Sequence, residues 1–157
     1  DGRIKGHGAR PVGIAERALE MMMDYARNRV TFGRPLAERQ AVQFMIADSA
    51  MELYQGKLMV LHAAYKIDRK EDFKSEVSMT KHFVANSLCR IIDRAIQVHG
   101  ALGYSKDSPL ADMYMNARWA RFADGADEIH QMRIAQISIK AYTDHKSTWS
   151  ATGSLPI

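Results

Sequence analysis

The sequence predicts an all-α fold, an up-and-down helical bundle, on three observations. Apolar residues recur at helical spacing over five stretches, and no stretch alternates with the period of two that a half-buried strand requires. The breaks between the stretches carry glycine, proline or clustered charge, as helix ends do. Ten methionines against four prolines in 157 residues favour long helices over a strand-rich architecture. That length fits one domain with a substantial core, and 46% hydrophobic with 25% charged residues is ordinary for a globular protein.

Residues 1–11 are Gly-rich and basic and read as a linker from an upstream domain; 12–142 form the bundle, and 143–157 are a polar, aperiodic, flexible tail. Pro11 suits a first helical turn, where its missing N–H costs nothing. From there a helix runs to about Val30, with Val12, Ala15, Ala18, Leu19, Met22, Tyr25 and Ala26 at helical spacing. Gly33 and Pro35 stop it. Thr31 and Phe32 beside Gly33 form a turn that Arg29 and Arg34 flank. The second helix, about Ala37 to Arg69, carries two apolar stripes. One passes through Phe44, Met51, Tyr54, Leu58, Leu61 and Tyr65, the other through Val42, Met45, Ile46, Leu53, Val60 and Ile67. Two apolar faces predict contact on more than one side, hence a central place in the bundle.

The short charged connection Lys66 to Lys74 predicts an antiparallel return. The third helix, Phe73 to about His99, turns Val77, Phe83, Val84, Leu88, Ile91, Ile92, Ala95 and Val98 inward, and Gly100 with Gly103 ends it. A loop, 101–109, follows. Ser108 as N-cap and Pro109 in the first turn start a fourth helix reaching Phe122. After Gly125 a fifth helix fades near Thr143.

Composition narrows the function. A net charge of +4 without a five-residue basic run is too weak to argue nucleic-acid binding. No apolar run has membrane-spanning length. Cys89, the single cysteine, lies in an apolar helical stretch and reads as a buried structural thiol in a reducing compartment. The histidines form no His-Glu-x-x-His, and the acids around Asp124 lack the ligand order of a calcium loop, so no metal site is expected.

The break Ala123-Asp-Gly-Ala-Asp-Glu-Ile-His130 is where chemistry is expected. Asp124 has two readings: an N-cap for the next helix, with Asp127 and Glu128 favoured by the helix dipole, or a base whose carboxylate enters a cleft beside a small Gly125. Arg29 likewise either grips a phosphate or faces the C-terminal dipole of its own helix.

Three motifs in one order weigh on that choice: Arg29-Val-Thr-Phe-Gly-Arg-Pro-Leu36 with Gln40; Ile92-Asp-Arg-Ala-Ile-Gln-Val-His-Gly100-Ala-Leu-Gly; and Phe122-Ala-Asp-Gly-Ala-Asp-Glu-Ile-His130. Over roughly Val12 to Ala141 the chain resembles the C-terminal helical domain of the flavin-dependent acyl-CoA dehydrogenases. The last motif looks most like the subgroup with aspartate at the catalytic-base position. The resemblance implies FAD as cofactor and α,β-dehydrogenation of acyl-CoA thioesters, as in fatty acid β-oxidation. It also implies self-association to a dimer or tetramer, and electron-transfer flavoprotein as acceptor. It puts Asp124 at the base and Gly125 against the substrate thioester. Arg29 falls where the family holds the FAD pyrophosphate of a neighbouring subunit, with Thr31 and Phe32 beside it, and Gln40 and Gln97 fall on the same cofactor. Gly100 falls in its glycine turn, where Ala101 replaces a second glycine, and Glu128 replaces a glutamine on the flavin side. Arg3 and Arg10 both lie near a further family arginine, and neither registers cleanly. The resemblance places the protein inside the cell, cytoplasmic in a bacterium and mitochondrial or peroxisomal in a eukaryote. The bundle alone is expected to be inactive. The competing reading is a non-catalytic self-association module, which would have no use for Arg29, Gln40 and Gln97 together.

Overall fold

In a computed structural model the described residues are 4–145. Five long helices follow the predicted order: α1 (Arg10–Asn28), α2 (Gln40–Asp68), α3 (Lys74–His99), α5 (Leu110–Ala120) and α6 (Asp127–His145), with a single turn, α4 (Ala101–Tyr104), inside the predicted loop. A two-residue antiparallel pair, β1 (Val30–Thr31) and β2 (Arg34–Pro35), and a 3-10 turn, Leu36–Glu38, join α1 to α2.

The predicted boundaries hold where local chemistry sets them. Pro11 lies in the first turn of α1. Gly100 caps α3 with φ 62°, a conformation that a side chain disfavours. At the start of α5 the Ser108 hydroxyl accepts from the Leu110 N–H at 3.3 Å, with Pro109 between them. Two expectations are not met. The segment expected as a linker is helical from residue 4: Lys5–Ala9 is a π-helical turn leading into α1, and Ile4 packs with Ala63 and Val77 in a small second core. At the other end α6 continues through the residues 143–145 expected in the tail; the remainder of that tail lies outside the described residues.

The central helix is α3, not α2. Most of α3 is buried, and α1, α2, α5 and α6 all pack on it. The main core joins Ala15, Leu19, Met22 and Ala26 of α1 to Leu88, Ile91, Ile92 and Ala95 of α3, with Leu110 and Ala117 of α5 closing one side. On α2 only one predicted stripe meets this core, through Val42, Met45, Ile46 and Leu53. The other lies open: Phe44 is 60% exposed, Tyr54 65% and Leu61 65%. Glu52 ties α2 to α3 through Arg90 at 2.7 Å and Arg94 at 2.8 Å. Cys89 is buried, and burial pushes its thiol up, as a structural role requires.

Candidate functional site

The predicted site residues fall into two groups separated along α3. The first surrounds the α1 C-terminus. Phe32 and Gly33, at φ 50° and 77°, make the two-residue turn between β1 and β2, a pairing with positive φ at both central positions. The Arg39 guanidinium braces it, donating to the Thr31 carbonyl at 2.6 Å and lying 5.8 Å from the Phe32 ring centre. The hairpin carries Arg29 and Thr31 to the end of α3, where they line a cleft of ≈ 410 Å³ with Gln97, Gly100 and Ala101. Phe32 and Gln40 are outside its lining: Phe32 is 98% exposed at the hairpin tip, and Gln40 begins α2. No carboxylate among the described residues pairs with Arg29, so its charge is available to an anion. His99 also borders the cleft; its Nδ1 donates to the Ala95 carbonyl at 2.7 Å, and its ring stacks on Tyr25 at 4.3 Å.

The second group is the turn between α5 and α6. Asp124 is exposed with φ 52°, and Gly125 has φ 104°. Helix α6 begins at Asp127, so Asp124 is not its N-cap: it lies too far upstream and lacks the extended backbone of a cap. Gly125 is held against His130, where an added Cβ would come 3.1 Å from Nε2.

Beneath this turn lies a network that the sequence pattern left unread. Asp127 is 4% exposed. Its Oδ2 accepts from Arg121 Nε at 2.7 Å and from Asn86 Nδ2 at 3.0 Å, while Lys81 Nζ stands 4.0 Å and His82 Nδ1 3.6 Å from Oδ1. Burial works to raise the Asp127 carboxyl, but the hydrogen bonds from Arg121 and Asn86, helped by nearby positive charge, hold it below the ordinary range. Lys81, 3% exposed, donates to the carbonyls of Gly125 at 2.7 Å and Arg121 at 3.2 Å. Burial lowers its ammonium, against the pull of the Asp127 and Asp124 carboxylates. One signal was visible in the sequence: Lys81 follows Val77 by four residues and precedes Val84 and Leu88 on the apolar face of α3, where a lysine needs a buried partner. Glu128, exposed in the first turn of α6, lines a pocket of ≈ 270 Å³ beside Asp127, Arg121 and His82. From Asn86 to Gln97 the rise along α3 is about 16 Å, which keeps the two groups apart within one chain.

Fold and site together define an all-α domain with a cationic cleft at one end of its central helix and a braced acidic turn nearer the other. The sequence matches the family described as acyl-CoA dehydrogenase, C-terminal domain, over residues 2–139. The chain belongs to that family. It is 45% identical over 152 residues to the probable acyl-CoA dehydrogenase FadE2 of Mycobacterium tuberculosis, covering 96% of this chain and 36% of that protein. It is 36% identical over 140 residues to the acryloyl-CoA reductase (NADH) of Anaerotignum propionicum, covering 89% and 36% respectively. The solved butyryl-CoA dehydrogenase of Megasphaera elsdenii superposes with a TM-score of 0.80 at 32% identity, over 83% of this chain and 34% of that one. The chain thus spans about a third of the length of these proteins. Among the described residues no helix is long and apolar enough to cross a membrane, and no three His, Cys, Asp or Glu side chains gather as a metal site.

Proposed function

We propose that this chain is the helical domain of a flavoenzyme that removes the α- and β-hydrogens of an acyl-CoA thioester, with Asp124 as the base. The observation that carries the reading is the exposed Asp124 at the apex of a turn whose feet are buried and charge-braced. A base of this kind must be aligned before the reaction, since a misplacement of about 1 Å can cost on the order of 100-fold. Aspartate is one methylene shorter than glutamate, so the substrate approaches the turn closely, and Gly125 leaves it that room. Asp124 takes the α-proton. FAD, when bound, supplies the acceptor for the β-hydrogen as hydride.

The cleft at the end of α3 suits the phosphate-bearing part of that cofactor. Its chemistry is the Arg29 guanidinium, which pairs with no carboxylate among the described residues, the Thr31 hydroxyl, the Gln97 carboxamide and the open backbone at Gly100 and Ala101. Phe32 and Gln40 extend the same surface, and Glu128 faces the flavin from the Asp124 side. The separation of the two groups along α3 supports a cofactor shared between copies, Arg29 serving the flavin of a second subunit. The exposed stripe of α2, and Ile129, Met132, Ile139 and Tyr142 on α6, supply apolar surface for a dimer or tetramer. Electron-transfer flavoprotein is the proposed acceptor.

The test is Asp124→Asn in the complete flavoenzyme. The variant is expected to keep its FAD and lose flavin reduction by acyl-CoA. Retained reduction sinks the assignment of Asp124 as the base.

A further inference from the structure

We propose that Lys81 is a positioning residue for the base: its ammonium, reaching up from the buried face of α3, fixes the backbone of the Asp124–Gly125 turn and thereby the direction of the Asp124 carboxylate. This rests on the reading of Asp124 as the base.

The argument is geometric. Residues 121–126 turn the chain from α5 into α6 with two consecutive positive φ angles, at Asp124 and Gly125. Positive φ is uncommon outside glycine, and aspartate is among the residues that tolerate it, so the sequence permits this apex and contacts from neighbouring elements are needed to hold it in one orientation. The two feet of the turn are joined twice: Asp127 N–H donates to the Arg121 carbonyl at 3.0 Å, and Arg121 Nε donates to the Asp127 carboxylate at 2.7 Å. Those bonds close the loop without fixing what lies inside it. Lys81 does fix it. Its bond to the Gly125 carbonyl, 2.7 Å, reaches the apex from another helix and sets the plane of the Gly125–Ala126 peptide. Its second bond, to Arg121, ties that plane to the foot of the turn. The arrangement is rigid because Lys81 is itself constrained: it is 3% exposed, with Asp127 as its nearby counter-charge and Asn86, further along the same helix, holding the same carboxylate. On the far side Gly125 rests on the buried His130 ring. Apex, foot and counter-ion therefore move as one body with α3.

An ammonium is needed here for its number of donors as well as its charge. It offers three N–H bonds from one atom, enough for two carbonyls and an approach to a carboxylate. A methionine fills the same volume and supplies none of them. Arginine keeps the charge and several donors, in a different geometry.

The experiment compares Lys81→Met, Lys81→Arg and Asp124→Asn in the complete flavoenzyme, by stopped-flow flavin reduction, acyl-CoA affinity, FAD content and hydrogen exchange. Lys81→Met is expected to slow reduction about 100-fold, the scale of a misplaced reacting group. Acyl-CoA affinity and FAD content hold, and Lys81→Arg recovers part of the rate. Exchange should quicken at the amides of residues 122–126 and stay slow in the cores of α1 and α3. Reduction at the parental rate in Lys81→Met overturns the proposal. So does a rate that falls only with FAD content, or exchange that quickens throughout α3, because either makes Lys81 a stability residue alone. If Asp124→Asn retains full reduction, the base assignment fails instead, and exchange in the turn then still decides whether Lys81 holds it.

Discussion

Replacing Asp127 by asparagine keeps the shape of the side chain and removes its charge, so it measures what the buried carboxylate contributes to folding. Removing one partner of a fully buried ion pair costs about 3–5 kcal/mol, because the other charge stays buried. Two features reduce that here. The Arg121 side chain is 36% exposed, so its share is screened towards the roughly 0.2–1 kcal/mol of exposed pairs. Lys81 is buried but keeps its two carbonyl bonds and stands 4.0 Å from the carboxylate rather than in contact. The expected loss is about 2–3 kcal/mol at pH 7, between the exposed and buried cases. In a domain of this size it lowers the melting temperature by roughly 4–12 °C. Urea unfolding followed by circular dichroism at 222 nm, backed by calorimetry, reads it directly.

The pH dependence supplies a second check. The folded carboxyl of Asp127 lies below its ordinary value, so the unfolded chain binds its proton first. The stabilisation is fully present above the ordinary carboxylate range near pH 4 and disappears as pH falls through the lower, folded value. The gap between parent and variant should therefore be constant from about pH 5 to 7 and close in stronger acid. A loss under about 0.5 kcal/mol at pH 7, or a gap that does not narrow as the pH falls below the ordinary carboxylate range near 4, refutes the assignment of Asp127 as the charged anchor of the turn.

Two further outcomes follow from the core and the cleft. Ile92, a fully buried residue of α3 in the core it shares with α1, should lose about 2–5 kcal/mol on replacement by alanine, whereas Leu61→Ala on the open face of α2 should stay within about 0.5 kcal/mol for the unassociated chain. Equal losses in urea unfolding would show that the α2 stripe is covered. Arg29→Gln should weaken FAD retention in the complete flavoenzyme about 10–100-fold, the equivalent of one charge-assisted contact, with acyl-CoA affinity little changed. Unchanged retention, measured by gel filtration and flavin absorbance, would remove the pyrophosphate role from the cleft.

What the sequence determined was local. The glycine cap of α3 and the Ser108-Pro109 entry to α5 depend on residues within a turn of one another, and the pattern puts them there; Pro11 does fall in the first turn of α1, but the chain is already helical upstream of it. The all-α fold followed from periodicity, which is equally local. The site motifs were legible through their likeness to a family, and that likeness named Arg29, Gln97 and Asp124 without saying how far apart they stand. Tertiary structure decided the rest. Both α2 and α3 carry two apolar faces, and which helix becomes the centre depends on what covers them; α1, α5 and α6 cover α3, and one face of α2 stays open. Three carboxylates, Asp124, Asp127 and Glu128, lie within five residues, and no local rule separates them. Lys81 and Asn86, some forty residues earlier, bury Asp127 and leave Asp124 at the apex. A cap or a period is written in neighbouring residues, whereas burial and charge compensation are set by side chains that only folding brings together.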